Sequence, residues 1–373
     1  MKKYIIGSIL CFLVSIAWAQ PSQIALLVKS AELKKAKYLI DSICEMQIYE
    51  KDAEAWFMNG FVHENIAYSA DSATKSLMKN ALLVSADAYL KAVKSTKSSR
   101  YAAMAQRKLD SAITNNVLAE GVKLENEKKI EDAVSYLDLY ISIKPNDTTG
   151  LIRNAIANEK ALNFESAKKA YTKLLELKHK PKYVYKSIIL IYKDNLENPA
   201  EASKYLVEAK KLFPNDEDWT KIEIAILIQQ KKSVEAIKKL DTAISIYPNS
   251  KLIYTYNIGA LYHSLDSASK AIEYYEKALA VDAKHFETNY NLGGIYYKKA
   301  VTLYSKVNEM VYADYQKQGK KLEEEANGWA GKSLPYFERA YSVKKEEKTK
   351  KVLRDLYRNL KMNSKFRELE KEK

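Results

Sequence analysis

Residues 256–262 read Tyr-Asn-Ile-Gly-Ala-Leu-Tyr, and residues 290–296, 34 positions later, read Tyr-Asn-Leu-Gly-Gly-Ile-Tyr. Each segment places a glycine among large apolar residues in a stretch that favours a helix. Glycine allows a second helix to approach closely, and the tyrosines can pack behind that contact. Residues 52–60, Asp-Ala-Glu-Ala-Trp-Phe-Met-Asn-Gly, show a related arrangement near the N-terminus. These segments predict the first helix of a repeated unit.

A second pattern runs between and before these segments, in which a small residue is followed four positions later by an aromatic residue or leucine. That spacing places both residues on one face of a helix. The small residues, spaced by 34, 35, 34 and 35 positions, are Ala133, Ala167, Ala202, Ala236 and Ala271. The large residues four positions on are Leu137, Tyr171, Leu206, Leu240 and Tyr275. Pro145, Pro214 and Pro248 predict the ends of three of these helices, because proline lacks an amide donor.

The two patterns together resemble the tetratricopeptide repeat, a helix-turn-helix unit of this period. The resemblance covers residues 119–300, with weaker copies on both sides. It implies an all-α fold, a right-handed α-solenoid of tandem helical hairpins. Ile189 and Ile224 depart from the pattern, because a small residue is expected at their place in the first helix.

Composition supports this fold class. The 373 residues include only 10 glycines and 7 prolines, and 47% of the residues are hydrophobic. A β-rich chain of this length needs many more turn residues and an alternating apolar pattern, which is absent over any useful stretch. The sequence therefore predicts helices joined by short turns.

The N-terminus carries a separate signal. Lys2 and Lys3 precede an apolar run of about 13 residues, and Ala-Trp-Ala at 17–19 is a typical cleavage site. A spanning helix needs about 20 apolar residues, so residues 1–19 are interpreted as a secretory signal peptide rather than an anchor. We expect an exported protein, periplasmic first of all, with secretion or association with the outer membrane as alternatives. Cys11 is expected to be removed with this peptide.

The remaining chain is predicted to have three parts: irregular helical hairpins at 20–118, regular repeats at 119–300, and an extended hairpin, last repeat and capping helix at 301–373. In the extended hairpin, the first helix is predicted to continue to Val311, turn near Gly319 and return through Trp329. Pro335 is predicted to kink or restart the second helix. An apolar stripe from Val352 to Leu360 predicts the capping helix.

No catalytic motif is recognisable. His63 and Glu64 begin like a zinc-protease helix, but Ala67 stands where the second histidine ligand is required. Cys44 is the only cysteine after residue 19 and is interpreted as a small core residue. The prediction is therefore a non-enzyme with no cofactor and no metal ion.

The resemblance implies that a partner binds in a concave groove lined by the first helices. The candidate residues on those helices are Lys221, Tyr256, Asn257, Tyr290, Asn291, Tyr297 and Lys298. Tyrosine offers a rigid contact area and asparagine can bond a peptide backbone. Tyr and Asn could equally recur here only because the repeat pattern favours them. The clamp that some family members use for peptide carboxyl termini pairs Lys with Asn, and Ala225 replaces that Asn beside Lys221.

Two classes of function remain open. From Gln20 onward the chain has 59 basic and 47 acidic residues, which favours an acidic partner, although interspersed Lys and Glu are also typical of solvated helices. The first hypothesis is a protein-interaction scaffold of the bacterial envelope that binds a protein or peptide. The alternative is a binder of anionic or sugar polymers, motivated by the charge and by 28 tyrosines. Export and the lack of a recognisable motif disfavour a nucleic acid partner.

Overall fold

The computed structural model of the protein describes residues 21–372, apart from 48–49, 96–98 and 215. These residues form helices joined by short turns, with no β-strand among them, which confirms the all-α prediction. The predicted signal peptide and Cys11 lie outside the described residues. Within the described part of the chain, no helix combines the length and the apolar character needed to cross a membrane.

The chain divides into two compact units, Met1–Tyr205 and Leu206–Lys373. The helices of unit 1 are α1 (Pro21–Lys29), α2 (Leu33–Cys44), α3 (Ala53–Ala67), α4 (Ser72–Lys75), α5 (Ala81–Lys94), α6 (Ser99–Lys108), α7 (Thr114–Asn126), α8 (Ile130–Ile143), α9 (Thr148–Lys160), α10 (Phe164–Glu176) and α11 (Lys182–Leu190). Helix α12 (Pro199–Leu212) contains the division. The helices of unit 2 are α13 (Glu217–Gln229), α14 (Ser233–Ile246), α15 (Lys251–Ser264), α16 (Ala268–Val281), α17 (Phe286–Asn308), α18 (Tyr312–Asp314), α19 (Lys320–Val343), α20 (Glu347–Asn359) and α21 (Asn363–Lys371).

Consecutive helices pack as hairpins, and the predicted small and large residues form the contact between them. The five alanines of the second pattern are fully buried, and the five large residues that follow them are all 4% exposed or less. In hairpin α15–α16 a side-chain carbon added to Gly259 would lie 2.7 Å from the Tyr275 ring. In hairpin α7–α8 a side-chain carbon added to Gly121 would lie 3.0 Å from the Leu137 side chain. The first-helix glycine is therefore needed for space.

The turns inside the regular hairpins share one backbone conformation. A residue with positive φ lies five positions before each of the five alanines: Lys128, Leu162, Glu197, Lys231 and Asp266. In most of these turns the next amide bonds back five residues, as in Ser267 N to Tyr262 O at 2.9 Å, which is the Schellman ending of a helix. The repeat period read from the alanines is thus also the period of the turns.

Helix ends follow the sequence signals. Helices α8, α12 and α14 stop at Ile143, Leu212 and Ile246, just before the three prolines named above. Three first helices begin at an aspartate whose side chain accepts backbone N–H groups, as Asp52 does from Glu54 N at 2.9 Å and Ala55 N at 3.2 Å. The other two capping aspartates are Asp147 and Asp216.

Two hairpins contain insertions, α3–α5 in unit 1 and α17–α19 in unit 2. Each keeps the glycine contact: Gly60 lies against Tyr89, and Gly293 lies against Phe337. In both, a buried serine replaces the usual alanine and its hydroxyl donates to the carbonyl of that glycine. The donor–acceptor distances are 2.9 Å from Ser85 and 2.8 Å from Ser333.

The extended hairpin differs from its prediction in where it turns. Helix α17 ends at Asn308, so Val311 follows the helix instead of belonging to it, and Gly319 lies in a helical segment that runs directly into α19. Apolar residues continue at helical spacing through Val311, so the sequence pattern gives no sign of the turn at 309–311. Helix α19 also continues through Pro335 without restarting, because Leu334 and Phe337 are buried on either side of it.

The charged C-terminal end is helical as well. The predicted apolar stripe forms α20, and Leu353 and Leu356 on it are buried. The following residues form α21, which packs on α20 through Leu369 and through an ion pair between Arg354 and Glu370. The predicted capping helix is therefore the first helix of a final hairpin.

Candidate functional site

The seven predicted binding residues lie on three helices of unit 2. Helix α13 carries Lys221, α15 carries Tyr256 and Asn257, and α17 carries the other four. Lys221 is exposed and its Nζ lies 3.3 Å from a carboxylate oxygen of Glu217. Asn257 is half-buried, and its amide makes no hydrogen bond with another described residue. These two side chains present polar groups that can reach a partner.

Tyr256 and Asn291 are brought together by the internal packing of unit 2. The Asn291 amide donates to the hydroxyl of Tyr256 at 3.1 Å and to that of Tyr275 at 3.4 Å. The Tyr256 ring also packs against Tyr275 and His285, with centroids 5.9 and 5.3 Å apart. Burial raises the pKa of Tyr256, and it raises that of Tyr275 to about 12. This pair therefore joins neighbouring helices.

Tyr290 and Tyr297 serve the contact between α17 and the elements that follow it. Both rings meet Phe337 nearly at right angles, with centroids 5.5 and 6.0 Å apart. The Tyr297 hydroxyl donates to Asp355 at 3.3 Å, and burial raises its pKa to about 12. The Lys348 ammonium lies 4.7 Å from the centre of the Tyr290 ring. Both tyrosines are half-buried and mainly structural.

Lys298, the seventh predicted residue, lies on the wall of a cavity of about 490 Å³, which we call the tryptophan cavity. It forms where the extended parts of α17 and α19 stand beside the turn between α15 and α16. Its lining residues are His263, Asp266, Ala268, Ile295, Lys298, Lys299, Thr302, Leu303, Glu325 and Trp329. The volume is within the range of small-ligand and side-chain pockets.

Trp329 is the largest side chain of the tryptophan cavity and is held on several sides. It stacks on Tyr296, with centroids 6.0 Å apart, and its indole N–H donates to Glu325 at 3.4 Å. The ammonium groups of Lys299 and Lys332 lie 4.2 and 4.5 Å from the centre of its ring. Both distances are typical of cation–π contacts.

The lysines at this cavity have no ionic partner in the described part of the chain. No carboxylate of a described residue lies within 4.0 Å of the ammonium of Lys298, Lys299 or Lys332, although Asp266 and Glu325 line the same cavity. Many other lysines of unit 2 have such a partner, for example Lys210 at 2.6 Å from Glu223. Positive charge at the tryptophan cavity is therefore available to an incoming group.

Residues 254–285, which include most of α15 and all of α16, match the tetratricopeptide repeat family. The matched segment contains the contact of Gly259 with Tyr275 that recurs in the other hairpins. The chain contains a tetratricopeptide repeat.

Several solved structures resemble this tetratricopeptide-repeat protein over about half its length. YrrB, described as a protein of this family with an unusual peptide-binding site, is 19% identical with a TM-score of 0.39, and the match covers 52% of this chain and 97% of YrrB. MamA from Desulfovibrio magneticus RS-1 is 15% identical with a TM-score of 0.39, covering 46% and 96% of the two chains. A thermophilic protein of this family from Thermus thermophilus is 17% identical with a TM-score of 0.31, covering 49% and 98%. A search of curated protein sequences found no match.

The zinc-protease-like segment of the tetratricopeptide-repeat protein is used for packing. His63 is fully buried, its Nδ1 lies 2.9 Å from the carbonyl of Asn59, and burial lowers its pKa. Glu64 accepts a hydrogen bond from Tyr89 at 2.6 Å and pairs with Lys108 at 2.8 Å. Among the described residues, no cluster of three or more His, Cys, Asp or Glu side chains could hold a metal ion.

Cys44 lies in the same region. Its thiol is half-buried and accepts a hydrogen bond from the Asn59 amide at 3.5 Å, and burial raises its pKa to about 11. A thiol with a raised pKa is a poor nucleophile.

Sequence reasoning predicted Lys298 but not the cavity around it. Thr302, Leu303 and Glu325 come from parts of the hairpin that the repeat pattern does not cover, so no alignment of repeats points to them. Trp329 was visible as the only tryptophan of the extended hairpin. A half-exposed tryptophan between lysines on an insertion is the signal that could have found this site.

Proposed function

We propose that this tetratricopeptide-repeat protein is a non-catalytic scaffold of the bacterial envelope that binds a protein or peptide partner on unit 2. The observation that carries the proposal is the tryptophan cavity, where an aromatic anchor lies among lysines that lack ionic partners. Arrays of this repeat type commonly present binding surfaces. The signal peptide predicted at residues 1–19 supports the envelope location.

The partner segment is acidic and carries a large apolar side chain. The apolar group would enter against Ile295, Leu303 and Trp329, since tryptophan is among the residues that contribute most at interfaces. Acidic groups beside it would meet the unpaired Lys298 and Lys299. Charge of this kind also increases the rate of association.

The predicted binding residues contribute unequally to this proposal. Lys221, Asn257 and Lys298 present side chains that can contact a partner directly. Tyr256, Tyr290, Asn291 and Tyr297 hold the helices that carry them, and only their exposed edges are available. Substituting these four would therefore test folding as well as binding.

The proposal is tested by selection from a random peptide library displayed on phage, with the chain from Gln20 onward as the target. The test variant is Trp329→Ala combined with Lys299→Gln. A matched control is Trp56→Ala with Lys91→Gln in unit 1, where a lysine also lies over a half-exposed tryptophan, 4.5 Å from its ring centre. We expect enriched peptides to contain Asp or Glu beside a large apolar residue, and to bind the control but not the test variant.

Two results would contradict the proposal. Enrichment of peptides that bind both variants equally would place the site elsewhere. Binding that is lost for every peptide at about 0.5 M salt, with retention of anionic polysaccharide at low salt, would favour the polymer-binding alternative instead. Fractionation of cells expressing the full chain checks the envelope location separately, because recovery in the cytoplasm with residues 1–19 intact contradicts export.

A further inference from the structure

A second cavity, of about 520 Å³, lies in unit 1, and we call it the lysine cavity. Its lining residues are Ala67, Tyr68, Lys75, Met78, Lys79, Ala81, Leu82, Asn116, Ala119, Glu120, Lys123 and Tyr136. They come from the insertion of hairpin α3–α5 and the helix ends beside it, and from helices α7 and α8. The tryptophan cavity belongs to unit 2, so the two sites can be studied separately.

The insertion that forms one wall is held in a defined conformation. Asp71 accepts hydrogen bonds from the amide of Thr74 at 2.8 Å and from its hydroxyl at 2.7 Å, and its own amide donates to Ser69 at 3.1 Å. The two hydrogen bonds from Thr74 lower the pKa of Asp71. The regular hairpins do without this segment, so its fixed geometry is not explained by packing of the repeat alone.

Charge at the lysine cavity is unbalanced. Lys123 is paired with Glu120 at 2.9 Å, which leaves Lys75 and Lys79 as the other charged groups of the lining. No carboxylate of a described residue lies within 4.0 Å of either of these two ammonium groups. The insertion therefore brings two uncompensated positive charges to one cavity, which favours an anionic ligand.

The rest of the lining provides hydrogen-bonding groups and an apolar surface. The Asn116 amide donates to the hydroxyl of Tyr68 at 2.6 Å, and Tyr136 is only 6% exposed. Met78 and Leu82 add apolar surface, together with three alanines. A few polar groups on a partly apolar wall are typical of small-molecule sites.

We propose that the lysine cavity binds a small organic acid, with its carboxylate at Lys75 and Lys79 and its aliphatic or aromatic body against Met78 and Leu82. Two ammonium groups provide donors for one or two carboxylates, and lysine is a compact charge that suits such anions. The cavity is too small for a folded partner and large enough for an acid of this kind.

Saturation-transfer NMR with the chain from Gln20 onward tests the proposal. The probes are acetate, hexanoate, benzoate and adipate, with hexanamide as an uncharged match for hexanoate. We expect saturation of hexanoate, benzoate or adipate, with weaker saturation of acetate and none of hexanamide. Lys75→Gln with Lys79→Gln weakens binding about tenfold, because two charge-assisted contacts are lost.

Two further variants separate the cavity from general surface charge. Lys169→Gln with Lys180→Gln removes the same charge from exposed positions of unit 1 outside the cavity, and binding is expected to be unchanged. Ala119→Trp fills the cavity while leaving all charges in place, and binding is expected to be lost. Circular dichroism verifies that each variant is folded.

Three results would overturn the proposal. The first is that none of the four acids binds, and the second is that hexanamide binds as well as hexanoate. The third is that Ala119→Trp, shown to be folded, retains full binding, because the lysines would then act only as surface charge. Since the variants change unit 1 only, none of these results affects the proposed peptide site in unit 2.

Discussion

The regular hairpin α15–α16 and the extended hairpin α17–α19 are joined by the same contact but by very different connections. Gly259 and Gly293 lie 34 positions apart, whereas their ring partners Tyr275 and Phe337 lie 62 apart. In both cases a side-chain carbon on the glycine would come within 3.0 Å of the ring. The contact between the two helices thus tolerates an insertion of 28 residues in the connection.

Hairpin α3–α5 in unit 1 also keeps its helix–helix contact despite an insertion. Its insertion is shorter, yet it also keeps a glycine against a ring and also replaces the usual alanine with serine. In each unit the inserted hairpin contributes residues to the wall of a cavity. The contact between the first-helix glycine and a large side chain of the second helix maintains the fold, and the inserted segments contribute to the two candidate sites.

The largest expected effect is the loss of the ring that packs on the first-helix glycine in each of the two hairpins. Tyr275→Ala and Phe337→Ala each remove a buried ring and should lower the free energy of unfolding by about 3–5 kcal/mol. The two losses should be similar, because each ring packs against two further rings: Phe337 against Tyr290 and Tyr297, and Tyr275 against Tyr256 and His263. Urea unfolding followed by circular dichroism measures both. A larger loss at Tyr275 would mean that the long connection weakens the contact.

A smaller effect distinguishes two adjacent glycines of α17. Gly293→Ala places a carbon 3.0 Å from the Phe337 ring and should destabilise by about 1–3 kcal/mol. A side-chain carbon added to Gly294 would meet no neighbouring atom within 4 Å, so Gly294→Ala should stabilise the helix by about 0.5–1 kcal/mol. Thermal unfolding of the two variants checks the opposite signs. The same sign for both would refute close packing at residue 293.

The two rings also differ in their response to pH. Burial raises the pKa of Tyr275 to about 12, above the ordinary tyrosine value of about 10. The stabilisation that accompanies such a raised pKa is fully present below about pH 10. It is lost as the pH rises towards about 12, and the free energy of unfolding then falls with a limiting slope of about 1.4 kcal/mol per pH unit. Phe337 has no hydroxyl, so the equivalent place in α17–α19 adds no such dependence.

The comparison is made with Tyr275→Phe. Urea unfolding at about pH 9 and about pH 11 should show a smaller loss of stability in this variant than in the wild type. An identical loss would show that the Tyr275 hydroxyl is accessible to water.

The smallest effect concerns the serines of the inserted hairpins. Ser85→Ala and Ser333→Ala each remove a buried hydrogen bond to a glycine carbonyl and should cost about 1 kcal/mol. Ser142 is a matched control, because its hydroxyl bonds to Asp138 O at 2.8 Å on an exposed helix face. Ser142→Ala should change stability by less than about 0.5 kcal/mol. Equal effects at all three serines would remove the special role of the inserted pair.

The regular part of this fold could be predicted from the sequence, because its signals are local and repeated. Ala133 and its four counterparts are buried as predicted, and the prolines end the helices that they follow. The turn of the extended hairpin was misplaced because Val311 continues a helical apolar spacing that the backbone abandons at Asn308. Helix α21 was not predicted, because most of its residues are charged or polar, although Leu369 on it is buried.

The candidate sites were less predictable, for a physical reason. Tyr256 and Asn291 satisfy the family pattern, but their polar groups bond to each other, which depends on three-dimensional contacts between helices. The lysine cavity combines Lys75 with Tyr136, although helices α5, α6 and α7 lie between these two residues in the sequence. Nothing in the sequence spacing indicates that such residues meet.

The turns described above also show how this chain distributes its glycines. Every described residue with positive φ is something other than glycine, although such positions cost most residues about 1 kcal/mol or more. Several glycines lie instead where two helices touch, as Gly60, Gly121, Gly259 and Gly293 do. The hairpin turns, Lys231 among them, therefore offer a way to raise thermostability, because glycine could be introduced there without disturbing any contact between helices. A more stable variant for structural work can be built from these turns, with Asp266 left unchanged because it lines the tryptophan cavity.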